Sequence, residues 1–167
     1  MIDNHELDQS LKTLTFIWGA NLVSVLVYLF VIPRFLGEDI LAFLPPESHK
    51  TIQAILYVVS IGAIFLARFF SKHILSGKMT LSQRTAVTRH PAIQRYSTAM
   101  ILALAFSEAI AIFGLVLFLM AKDTVSLYLF GIVSILSMLM YRPVRQDILD
   151  TARNLEMLSR VVGTRPV

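Results

Sequence analysis

Residues 96–121 read YSTAMILALAFSEAIAIFGLVLFLMA, a 26-residue run whose single charge is Glu108. At 1.5 Å rise per residue, about 20 apolar residues form a helix that crosses the hydrocarbon core of a bilayer. A surface helix of a soluble domain would carry a polar stripe at 3.6-residue spacing, and this run has none. It predicts a membrane-spanning helix, and three further windows share its character. Thr13–Pro33 and Thr124–Tyr141 are uncharged. Thr51–Ala67 is uncharged too, and extends through Phe70 if Arg68 turns its head group to the interface.

Allowing for flanks, the spans fall at about 11–33, 51–72, 95–121 and 124–142, in a single membrane domain covering 1–167. The expected fold is therefore all-α, an integral membrane four-helix protein made of two transmembrane hairpins. Composition agrees: 56% of the 167 residues are hydrophobic and 16% are charged, against about 25% charged in soluble domains. Mean hydropathy is +0.68. The leader MIDNHELDQS is acidic and the first apolar stretch is long, so it reads as a retained span and not as a cleaved signal peptide.

Basic residues set the expected orientation. Arg68, Lys72, Lys78, Arg84, Arg89 and Arg95 follow the second span, and no Asp or Glu occurs between Glu47 and Glu108. Arg142, Arg145, Arg153, Arg160 and Arg165 follow the fourth. The other two connections are acidic or nearly neutral, with Arg34 and Lys50 against Glu38, Asp39 and Glu47 in one, and Lys122 with Asp123 in the other. Both basic segments, and with them both termini, are expected on the cytoplasmic side of the inner membrane. The net charge of +4 thus reads as membrane retention, with no nucleic-acid partner, because stacking aromatics are not interleaved with these cations. Phe35–Pro46 reads as a short apolar external loop. Residues 144–162 read as a cytoplasmic amphipathic helix with Ile148, Ala152, Leu155, Leu158 and Val162 on one stripe and Gly163 as its C-cap. That stripe would lie on the inner leaflet or pack on a neighbour.

Glu108 is the residue from which function is read. A charge at mid-span costs about 2.5–3.5 kcal/mol on insertion scales, and no Lys, Arg or His stands in the central part of any span. Such a carboxyl favours its neutral form and ionises when water or a counter-charge arrives. Depth places Asn21, Ser60, Ser107 and Ser134 near its level, and Asn21, Ser107 and Ser60 are the expected carboxyl partners, Asn21 first because it both donates and accepts. Ala99, Ala103, Ser107, Ala111 and Gly114 form a small-residue seam at steps of three and four, which lets another helix approach closely, within the chain or between subunits.

The stretch RTAVTRHPAIQRYSTAMILALAFSEAIAIFGLVLFLM, residues 84–120, resembles the loop and second helix of the ATP synthase c subunit, the proteolipid of rotary ATPases. In that family an Arg-Gln-Pro loop on the cytoplasmic side precedes the helix bearing the ion-carrying carboxylate. The corresponding positions are Arg89, His90 and Pro91, with His in place of Gln, and the carboxylate falls on Glu108. The resemblance implies a homo-oligomer whose Glu108 binds protons reversibly, in proton translocation or coupling with a membrane protein partner. The hydroxyl residue and Tyr that sodium-binding relatives place after the carboxylate are Ala109 and Phe113 here, so protons are implied over sodium. The second span lacks the family's glycine repeat, the loop is longer and no internal duplication is present. These departures argue for a wider oligomer than a dense rotor ring. The alternative is a structural or accessory membrane protein whose Glu108 is a protonated interhelical hydrogen-bond donor.

No enzyme, cofactor or metal site is expected. His5, His49, His73 and His90 are scattered with no nucleophile–base pair. The absence of cysteine removes thiolate ligands, cysteine nucleophiles and disulfides.

Overall fold

The computed structural model describes residues 4–36, 46–75 and 90–163. Those residues are almost wholly helical, with no strand among them. In order they form α1 (Asn4–Leu26), a π-helical turn (Val27–Val31), α2 (Ile32–Leu36), α3 (Pro46–Leu75), α4 (Pro91–Ala121), α5 (Thr124–Met140) and α6 (Arg145–Gly163). The sequence-predicted loop at Phe35–Pro46 and the basic residues Lys78, Arg84 and Arg89 lie mostly or wholly outside the described residues.

Three helices are long and apolar enough to cross a membrane, Asn4–Phe35, Ser48–Leu75 and Pro91–Ala121. The fourth, α5, has 17 residues, or about 25 Å of helix against a core of about 30 Å. It reaches a crossing length only together with the start of α6, from which it is bent by 58°. The other helices overrun their apolar windows. The acidic leader joins α1, and α3 continues past Arg68 to Leu75.

The ends of α4 are fixed by local chemistry. His90 is its N-cap, its Nδ1 accepting from Ala92 N at 3.3 Å, and Pro91 takes the first helical position, where no N–H is needed. The Glu6 carboxyl accepts the His90 N–H at 2.9 Å, so the leader of α1 holds the start of α4. At the far end Lys122 adopts a left-handed conformation, φ 55°, and its N–H closes on Phe118 O. Asp123 then caps α5.

The central helix is α4. It separates an apolar cluster shared with α1, α5 and α6 (Leu14, Leu29, Leu104 and Met138 among its members) from a smaller one shared with α3 and α5, where the Tyr57 ring stacks on Phe130 at 4.8 Å. The small-residue seam lies inside the chain: Ala99, Ala103, Ser107, Ala111 and Gly114 are all buried. A Cβ on Gly114 would come within 2.8 Å of Phe130 Cβ and 3.2 Å of Leu127 Cα, so the glycine is what lets α5 approach α4. Gly131 on α5 is filled in turn by the Leu29 side chain. The Trp18 indole donates to Met138 O at 2.9 Å and ties α1 to α5.

Helix α6 folds back on the bundle, with Ile148 and Ala152 of its apolar stripe buried. Val144 N donates to the Tyr96 hydroxyl at 3.3 Å, and Arg145 reaches Asn4 at 3.1 Å and Asp8 at 3.7 Å. The expected amphipathic helix is thus present and partnered within its own chain.

Candidate functional site

Pro33 shapes the first half of the site. It has no N–H to donate to Leu29 O, and its ring crowds that carbonyl. The helix widens just before it, so that Ile32 N–H bonds Val27 O, five residues back. Such π turns are rare and recur at functional sites. Tyr28 stands inside this one, and its hydroxyl donates to Glu108 Oε1 at 3.1 Å.

The second half is the face of α4 on which Glu108 stands. Ile101, Ala105, Glu108 and Ile112 share one stripe at steps of four, three and four. Ile101 and Ile112 are 47% and 41% exposed, Ala105 is exposed and Glu108 is half-buried. The opposite face of the same helix is buried at Ala99, Ala103, Ile110, Gly114 and Leu117. The carboxyl therefore lies on the side of the central helix that the described residues leave open, tethered to the π turn after α1 by one phenol.

The sequence-predicted partners are placed elsewhere. Asn21 donates to Ile17 O of its own helix at 3.0 Å, and Ser60 to Leu56 O at 2.8 Å. Ser107 donates to Ala103 O and accepts from Ser137 at 2.7 Å, while Ser134 donates to Ser107 O at 2.6 Å. These serines knit α4 to α5 on the buried side, about 100° around the helix from the carboxyl. The physical reason is spacing. Asn21 and Tyr28 are seven residues apart, on one face of α1 but two turns, about 10.5 Å, apart in height. The partner on that face is the tyrosine, and the signal for it was Pro33, which marks where the helix opens.

The c-like loop residues have structural roles where they are described. His90 and Pro91 start α4, and Arg89 lies outside the described residues.

A second polar cluster, unforeseen in the sequence, closes the other end of the bundle. Asp123 accepts from Ser126 N at 3.0 Å, from Ser126 Oγ at 2.6 Å and from Gln53 Nε2 at 3.2 Å, with His49 Nε2 at 3.3 Å. Burial by itself would push this carboxyl up. The Ser126 hydroxyl and amide and the His49 imidazole outweigh it and hold the group below its ordinary range. The cluster ties α3 to α5. Among the described residues no group of His, Cys, Asp and Glu is arranged to hold a metal ion.

Comparison with protein families, curated proteins and solved structures finds no match to this chain.

Proposed function

We propose that this chain is a c-subunit-like, oligomeric membrane protein with four spans and both termini in the cytoplasm, in which Glu108 binds and releases a proton in translocation or coupling. The observation that carries the reading is the position of Glu108, an ionisable group at mid-helix on the open stripe of α4 with one hydrogen-bond partner among the described residues, Tyr28. An ionisable residue within a span is rare and faces a partner, a cavity or a water path. A carboxyl sealed in the helix core could not exchange protons, and one loose in lipid would have no defined geometry. A half-covered carboxyl held by a phenol is positioned, with one side left for a partner or a water path.

The seam that would have packed subunits in a tight ring is occupied by α5, and the open stripe that carries Glu108 is one of the exposed apolar surfaces left for a second copy or a partner. Orientation is supported by the basic segments and by a shared end. Glu6–His90, Arg145–Asp8 and Tyr96–Val144 gather the leader, the start of α4 and the start of α6. That arrangement fits insertion in the inner membrane with those three on the cytoplasmic side.

The Tyr28 contact also favours a second reading, in which the pair is an interhelical fastening only. Glu108→Gln separates the two, since glutamine keeps the size and the acceptor but cannot ionise. Reconstituted in vesicles, the proton-carrying protein loses proton exchange on this change and keeps its oligomer. Unaltered proton exchange in Glu108→Gln leaves the fastening alone.

A further inference from the structure

A cavity of about 310 Å³ opens where the ends of α3, α4 and α5 meet α6. That size sits at the small end of ligand sites. Its wall is divided chemically. Met100 and Met140 give it an apolar side continuous with the membrane-spanning helices, while Tyr96, Tyr141, Arg142 and Asp147 form a polar mouth at their ends. The Ser71 hydroxyl, also on the wall, is covered by protein and has no hydrogen-bond partner among the described residues.

The charges on this wall are distinctive. Asp150 pairs with Arg153 at 3.4 Å. Arg142 and Asp147 make no ion pair among the described residues, although both line the same small cavity. The Tyr96 hydroxyl, which accepts from Val144 N at 3.3 Å, lines the same wall as the Asp147 carboxyl and is felt by it electrostatically. One cation and one anion kept apart on a single wall complement a ligand that carries both signs at a short distance.

The geometry points to a binding site for the headgroup of a phospholipid bearing a primary ammonium. Arg142 takes the phosphate in a charge-assisted hydrogen bond, and Asp147 takes the ammonium. Tyr96, on the same wall as Asp147, offers its ring beside that position. Ser71 supplies the further hydroxyl that a phosphate ester oxygen would satisfy. The acyl chains leave along the methionine side into the leaflet at that end of the bundle. A primary ammonium is favoured over a trimethylated one because a carboxylate and a phenol oxygen are acceptors, and only N–H groups use them.

The test is lipid retention by the purified full-length protein, read by native mass spectrometry. Phosphatidylethanolamine, phosphatidylcholine and phosphatidylglycerol with identical acyl chains are offered in turn. Phosphatidylethanolamine is expected to be retained about tenfold better than phosphatidylcholine, which has the same charges but no ammonium N–H, a preference equal to about 1.4 kcal/mol. Phosphatidylglycerol, without a cation, is expected to rank no higher than phosphatidylcholine. Asp147→Asn should abolish the preference, and Arg142→Gln, in the linker before α6, should weaken retention of all three. Equal retention of the three lipids overturns the proposal, as does an undiminished preference in Asp147→Asn. Displacement of the lipid by water-soluble phosphoethanolamine at millimolar concentration would overturn the lipid as occupant.

Discussion

The Tyr28 hydroxyl and the Glu108 carboxyl, 3.1 Å apart, join the π turn at the end of α1 to the face of α4 that the described chain leaves open. Both residues are half-buried, so the bond is neither core cement nor a loose surface contact. Interhelical hydrogen bonds of this kind are worth about 0.6–2 kcal/mol. Tyr28→Phe removes the donor and keeps the ring. It should lower stability in detergent by that amount and speed carbodiimide modification of Glu108. Asn21→Ala and Ser60→Ala, whose side chains bond their own helices, should leave that modification rate unchanged.

The spans were legible in the sequence because a bilayer demands long uncharged windows, and three of the four windows lie in helices of spanning length. The fourth, residues 124–142, was harder. Its helix ends at Met140, and the chain bends by 58° into α6, a geometry that hydropathy does not encode. Glu108 was legible as the single charge in residues 96–121. Its partner was not, since matching residues by depth assumes straight helices of equal offset, whereas α1 begins at Asn4 and widens before Pro33. Asp123 read as one half of a neutral turn. Its contacts with His49 and Gln53 depend on how α3 lies against α5, which no local pattern reveals.

The glycines give a contrast within one molecule. Gly114→Ala places a methyl group 2.8 Å from Phe130 Cβ and should destabilise by about 1–3 kcal/mol. Gly62→Ala meets nothing within 4 Å and should be neutral or slightly stabilising. Ala103→Leu, at a fully buried seam position, should lower the melting temperature of the single chain along with any effect on assembly. Thermal unfolding of the three variants in one detergent checks all of these.

Lys122 is a non-glycine residue in the left-handed region. Lys122→Gly relieves the Cβ clash of that conformation and should stabilise the α4–α5 turn by about 1 kcal/mol, seen as a raised melting temperature.

The Asp123 cluster predicts an acid limit to stability. The folded carboxyl titrates below its ordinary value of 3.8. Its contribution is therefore complete above the unfolded value and is lost as pH falls through the lower folded one. Stability should be level in this respect above about pH 5 and decline below about pH 4. Asp123→Ala, which deletes the cap of α5, should cost about 0.5–2 kcal/mol at neutral pH and flatten that decline. Melting curves from pH 3 to 7 on both proteins provide the comparison.

Orientation is open to direct labelling, because the chain has no cysteine of its own. Cysteine introduced by Ser76→Cys should be shielded from an impermeant thiol reagent outside intact cells, and that from Ser48→Cys should react. The reverse pattern would place the basic segments outside.

The central claim is that Glu108 exchanges a proton, and carbodiimide modification followed by peptide mass mapping tests it most directly. The reagent attacks protonated carboxyls, and among the Asp and Glu residues Glu108 alone lies in the middle of a span. Modification should fall selectively on Glu108, slow as pH is raised and vanish in Glu108→Gln. A Glu108 that is unreactive at every pH, or whose reactivity does not change with pH, would contradict the account.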